Sequence, residues 1–263
     1  MPAEWATTTL ADATDALQVL SELRGKRWLC RGQPKCYGGL VPTIDRDRLE
    51  KLSRVEKLML ERRSIDLFRS TARFFSDQGE QLALDQDMVA LMVLRNYHVP
   101  SRILDWSLSP WVAAYFAVQN HDTDDGEIWA FDEPQYQHEG AKQWTRWPET
   151  ARGGDFDPGL TAFLIQEPPD WFVCYFYKFG FHRQNAQQGA YSMTARFGRR
   201  HDEAIAGLFA DPSHYRRYVI PAKLKPELRT TLREGHGVWR GSLFPDSAGA
   251  AETAGAVFPA DGE

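Results

Sequence analysis

Cysteine is scarce in this chain: of 263 residues, only Cys30, Cys36 and Cys174 carry a thiol. They form no CxxC pair and no Cys/His pattern with metal-ligand spacing, so no metal site is expected. An odd, low count does not build a disulfide framework and points to a reducing compartment. The stretch from Met1 to Trp5 lacks the basic and apolar segments of a secretion signal. No run approaches the ~20 apolar residues that cross a bilayer. A cytoplasmic chain with no membrane partner is the expectation.

Positive charge is also in short supply. The 31 Lys and Arg are outnumbered by 36 Asp and Glu, for a net charge of −5. A protein that grips nucleic acid through phosphates usually shows a basic face. Here that face could come only from local clusters: Glu61-Arg62-Arg63, Arg199-Arg200-His201 and Arg216-Arg217. Their plainer reading is solvated surface or ion pairing. No Walker, G-x-S-x-G or G-x-G-x-x-G pattern occurs, and the seven histidines are scattered. No nucleophile–base set can be assembled from spacing.

What is present is a globular composition: 43% apolar and 25% charged residues. Leu10, Ala13, Leu17 and Leu20 predict an amphipathic helix over 9–24, stopped by Gly25. Trp28-Leu29-Cys30 suits a strand that enters a tight turn at Arg31-Gly32-Gln33-Pro34. Ser53 and Glu56 have capping-box spacing and open a helix over 54–76. Asp87 can cap a helix from Met88 to Tyr97. Ser109 as N-cap and Pro110 at the first position open a further helix, Trp111 to Gln119.

Ile128–Phe131 reads as a strand, and 132–157 as a long polar loop. Order resumes at Thr161–Ile165 and Trp171–Tyr177. Tyr218–Ala222 reads as a strand, and Pro226–Glu234 as a helix ended by Gly235. The tail from about 254 is expected to be disordered. Mixed helices and short strands without βαβ alternation predict a single α+β domain over 1–263, with short mixed or antiparallel strands flanked by helices.

Three segments could carry chemistry. Arg31 offers a planar fork for phosphate or carboxylate, and Gly32 would let a ligand approach the main chain. An Arg-Gly pair after a strand is also an ordinary turn. In the stretch from Tyr97 to Pro110, Arg102, Asp105, Ser107 and Ser109 crowd a short loop before a helix start, where free amides could meet an anion. The bland alternative pairs Asp105 with Arg102 and uses Ser107 and Ser109 as caps. Arg183 to Tyr191 offers Gln187 and Gln188 for a base or sugar hydroxyl; its alternative is a helix that ends with Gly189 just beyond it.

In this order the segments resemble the FRG-domain family of bacterial proteins, named for an aromatic-Arg-Gly motif. Here that motif reads Cys30-Arg31-Gly32-Gln33. The family's "Q-H-x-G-x-P-T-R-L-L-D-W-T-x-S-P" is similar to Arg95-Asn96-Tyr97-His98-Val99-Pro100-Ser101-Arg102-Ile103-Leu104-Asp105-Trp106-Ser107-Leu108-Ser109-Pro110. Arg183, Gln187 to Tyr191 and Leu243-Phe244-Pro245-Asp246 echo later motifs, so the likeness covers about 20–252. Cys30 departs from the aromatic position, and Arg95, Asn96 and His98 stand where the family takes Gln, His and Gly.

The motif order also resembles the ADP-ribosyltransferase fold. That likeness implies NAD or a related nucleotide as ligand, and ADP-ribose transfer by a toxin or antiphage effector. It implies Arg31, Asp105 and Gln188 as catalytic residues. Arg31, Gly32, Gln33, Arg102, Ser107, Ser109 and Gln188 would be the nucleotide-binding residues. Two alternatives stand beside it: a nucleotide-binding module without turnover, since Gln188 cannot take a proton, and a protein acting on nucleic acid through its Arg clusters.

Overall fold

A computed structural model describes residues 5–72, 85–144, 170–175 and 181–255. The elements run β1 (Thr7–Thr9), α1 (Ala13–Gly25), β2 (Trp28–Gln33), α2 (Asp47–Glu50), α3 (Arg54–Ala72), α4 (Asp87–Asn96), β3 (Ile103–Ser107), α5 (Pro110–Val118) and β4 (Gly126–Asp132). They continue with α6 (Glu133–Trp144), β5 (Phe172–Tyr175), α7 (His182–Ala186), β6 (Gly189–Thr194), α8 (His201–Leu208) and β7 (Tyr215–Ile220). The chain closes with α9 (Lys225–His236), α10 (Arg240–Leu243) and α11 (Ser247–Gly255). No described helix is long and apolar enough to cross a membrane.

The strands form one seven-stranded mixed sheet in the order β1-β7-β4-β2-β3-β6-β5. Only the β1–β7 pair is parallel; every other neighbour is antiparallel. The predicted α+β class is therefore what the chain adopts, as a mixed sheet flanked by helices.

Strand alternation divides the core. Cys30, Ile128 and Ala130 face α1, α5 and α9. Ile103, Tyr191 and Met193 point to the same side of the sheet and meet α3 and α4. Leu29, Leu104, Trp106, Trp129 and Phe131 cover the other side, against α6 and α8. Helix α5 lies very close to the sheet. A Cβ on Gly32 would sit 1.9 Å from the Ala113 carbonyl oxygen, and one on Gly126 2.3 Å from that of Ala117.

Several local signals act as the sequence indicates. The Ser53 amide donates to Glu56 Oε2 at 2.8 Å and the Glu56 amide to Ser53 Oγ at 3.3 Å, which closes the capping box. Pro110 opens α5.

Other boundaries move. Helix α1 starts at Ala13 because the Asp12 carboxylate accepts from the Asp15 amide. Asp87 is the first residue of α4, not its cap, and its carboxylate pairs with Arg62 and Arg69. Glu133–Trp144 is helix where a loop is expected; Gln135 is tied to Glu139 and Gln137 to Glu133, at helical spacing. Helix α9 runs past Gly235 to Gly237, which takes the left-handed cap position at φ 65°. Thr161–Ile165, 73–76 and 256–263 lie outside the described residues, and α11 carries regular structure to Gly255.

Candidate functional site

Strands β2 and β3 pair at a single position, Cys30 with Ser107. On its other side β2 pairs with β4 at six consecutive positions. Beyond Cys30–Ser107 a cleft of about 280 Å³ lies between the two strands, lined by both of them, by α5 and by the residues that follow it. Arg31-Gly32-Gln33 is thus the end of a strand, not the expected turn.

Alternation puts Arg31 on the side of Leu29 and Trp129, away from Asp105. Its guanidinium nevertheless reaches the Asp105 carbonyl at 2.7 Å and carboxylate Oδ2 at 3.5 Å. From the last turn of α4, Arg95 donates to the same Oδ2 through Nε at 2.9 Å, with a second nitrogen at 2.8 Å. Arg46 joins them on the cleft wall, fixed by the Val41 carbonyl and stacked 4.4 Å over the Tyr37 ring.

Three guanidiniums therefore line the cleft, two of them on Asp105, which is the only acid lining it among the described residues. Burial lowers the Arg31 pKa to about 10; Asp105 opposes that shift, while Arg95 and Arg46 add to it. Arg31 remains charged at neutral pH. Arg31 Nε and Asp105 Oδ1 are buried without a hydrogen-bond partner among the described residues.

The supports are also polar. Gln33 Nε2 donates to buried Glu127 at 3.2 Å, and Glu127 also receives Arg217 and the Trp129 indole. The buried Lys225 ammonium donates to the carbonyls of Pro34 at 2.6 Å, His121 at 2.8 Å and Asn120 at 3.1 Å. It thereby ties the end of β2 to the end of α5. Behind Arg31, His201 is fully buried and hydrogen-bonded through Nδ1 to Ser192 at 2.8 Å. Burial and then Arg31 push its pKa down to about 3. Among the described residues, no group of three or more His, Cys, Asp or Glu could hold a metal ion.

The sequence candidates divide between the cleft and its surroundings. Arg31, Gly32, Gln33, Asp105 and Ser107 line it. The role of Gly32 there is steric: it admits the backbone of α5. The Ser107 hydroxyl donates to the Gln187 carbonyl at 2.7 Å and accepts from the Ser109 amide at 2.9 Å. Ser109 is buried at the N-cap of α5 without a side-chain capping bond.

Arg102 lies elsewhere, fully buried in an ion pair with Glu61 and stacked 4.0 Å over Phe197. The anticipated Arg102–Asp105 pair does not form. Gln188 is not a lining residue; its carbonyl oxygen Oε1 accepts from Arg24 at 3.0 Å. It takes the left-handed turn at φ 48°, where Gly189 was expected to, and Gly189 begins β6. Gln187 lines the cleft instead. Trp106 is buried with its indole on Ser192, and Trp111 stacks on His236 at 3.9 Å.

The Arg clusters are engaged as well: Arg199 with Glu203, Arg200 with Asp202, Arg217 with Glu127 and Arg62 with Asp87. Sequence reasoning missed Arg46, Arg95 and His98 as cleft residues. The departure at His98 from the family's Gly was the one signal of the last.

No curated protein and no solved structure matches the chain. The family model of the FRG domain matches residues 26–126, a span that holds Arg31, Arg46, Arg95, His98, Asp105 and all of α5. The later motifs around Arg183, Gln187 and Phe244 lie beyond it. Residues 26–126 thus match the FRG-domain model, and the guanidinium-lined cleft between β2 and β3 is built largely from that span.

Proposed function

We propose that the cleft binds a phosphorylated ribonucleotide of the NAD or ADP-ribose type. The observation that carries this reading is the presence of Arg31, Arg46 and Arg95 on a cleft whose one carboxylate is held by Arg31 and Arg95, which leaves a surplus of positive charge in a partly enclosed space. Guanidinium forks suit phosphate oxygens, and a low-dielectric wall strengthens the attraction. Ligand pockets commonly measure roughly 300–1,000 Å³. At about 280 Å³, this cleft suits one phosphorylated half of a dinucleotide, with the rest extending outside.

Binding without turnover is the first reading. Both guanidiniums hold Asp105 on Oδ2, and Gln188 faces away toward α1. ADP-ribose transfer, as a toxin or antiphage effector would perform it, is the second reading. It is favoured by Asp105 as the one acid lining the cleft among the described residues, with its Oδ1 not engaged by any of them. In that reaction the nicotinamide–ribose bond breaks, the electron pair leaves with nicotinamide, and an acceptor oxygen or nitrogen bonds to the ribose carbon as its proton departs.

Calorimetry with ADP-ribose tests the first reading. Arg31→Ala should lose at least about tenfold in affinity, the loss of one charge-assisted contact. Absence of binding by the wild-type chain would remove the proposal. Release of nicotinamide from NAD separates the second reading from the first.

A further inference from the structure

Helix α4 ends in a left-handed turn closed by a non-glycine residue. The Val99 amide donates to the Leu94 carbonyl and the His98 amide to the Arg95 carbonyl, each at 3.0 Å. This is the paired C-terminal cap in which glycine is the favoured residue at the position His98 holds. His98 sits there at φ 63°. A side chain in that conformation costs stability that glycine would not.

The imidazole kept at this cost lines the cleft. It makes no side-chain hydrogen bond or ion pair with another described residue. A strained residue whose side chain faces a charged cleft is a candidate for function.

The charges around it are unbalanced. Arg95 from α4, Arg183 from α7 and Arg240 from α10 bear on the ring, against Asp105 alone from β3. Burial, then Arg95, lowers its pKa below the ordinary value of 6.5, with Asp105 opposing. The free protein therefore holds a neutral imidazole among guanidiniums at neutral pH. An anion placed in the cleft cancels part of the field that keeps the proton off.

We infer that His98 is a ligand-contacting residue of the cleft, whose imidazole takes up a proton as the phosphorylated ligand binds. This rests on the phosphate-binding reading of the same cleft and adds a proton to it. The linkage has one sign: binding strengthens as pH falls through the interval between the free and bound pKa values.

Calorimetry of the whole chain with ADP-ribose, in buffers of different ionisation enthalpy, reads the proton directly. The ligand's diesterified diphosphate has no proton to exchange near neutrality. The wild type should take up part of a proton per ligand near pH 6. It should bind on the order of threefold to tenfold tighter at pH 5.5 than at pH 7.5. His98→Gly should melt about 1–3 °C higher, because the strain is gone, and should show smaller proton uptake and a flatter pH profile. His98→Asn, which tolerates the same backbone but does not titrate, should match its profile. His121, the other imidazole on the cleft, is unchanged in both variants, so the difference belongs to His98.

Binding with equal proton uptake in wild type and both variants would overturn the inference and leave the phosphate cleft standing. A lower melting point for His98→Gly would overturn it through the strain argument. No binding of ADP-ribose by the wild type at any pH would remove both.

Discussion

Arg95 holds Asp105 Oδ2 with two nitrogens, at 2.9 and 2.8 Å, from ten residues earlier in the chain. Arg31 reaches the same oxygen at 3.5 Å, so the carboxylate is shared unequally and Arg95 is its main partner. Replacing Arg95 by Met should cost little stability, about 1 kcal/mol, because Asp105 is a third exposed and solvent screens the pair. The same change removes one of three cleft guanidiniums and should weaken ADP-ribose binding by roughly tenfold or more. Thermal melts and calorimetry on one preparation would show both effects. An equal loss in stability and none in affinity would mean that Arg95 is only scaffolding.

The Arg102–Glu61 pair behaves differently. Both side chains are at most 1% exposed. Removing one partner leaves a buried charge unpaired, at about 3–5 kcal/mol. Arg102→Met should therefore shift the urea midpoint strongly, and Glu61→Leu with Arg102→Met should recover much of the loss. Where the single variant stays folded, its affinity for ADP-ribose should equal that of the wild type, since Arg102 does not reach the cleft.

His201 sets a pH dependence of stability. Its folded pKa is about 3, while an exposed imidazole titrates near 6.5. Below pH 6.5 the unfolded chain binds a proton that the folded chain refuses. Stability is thus intact above that pH and falls as pH drops toward 3, by up to about 1.4 kcal/mol per unit for this one group. His201→Gln should flatten that slope in urea titrations between pH 4 and 7.

Local signals in the sequence were legible where one residue acts on its neighbours. The Ser53–Glu56 box and Pro110 work within a single turn; Asp105 lines the cleft from strand β3, where the sequence reads as a loop. The choice between Arg95 and Arg102 was not legible. Both are near Asp105 in sequence. The reversal at His98 swings the last turn of α4 over β3 and gives Asp105 to Arg95, while Arg102 turns inward to an acid forty-one residues earlier. Gly32 looked like a ligand's entrance because its real neighbour, the Ala113 carbonyl, is eighty-one residues away along the chain. The helix Glu133–Trp144 was hidden by its low apolar content and by Pro134 and Gly140, although Pro134 stands in its first turn where it is tolerated.

The single backbone pairing of β2 with β3 has a mechanical consequence. In the backbone, four strands on one side and three on the other are joined along that seam by one residue pair, and the Arg31–Asp105 contact bridges it beside the packed core. Whatever draws the Arg31 guanidinium toward itself also changes the tension between the two halves of the sheet. Occupancy of the cleft should then be felt in amide protection along β3 and β6, well away from any atom the ligand touches.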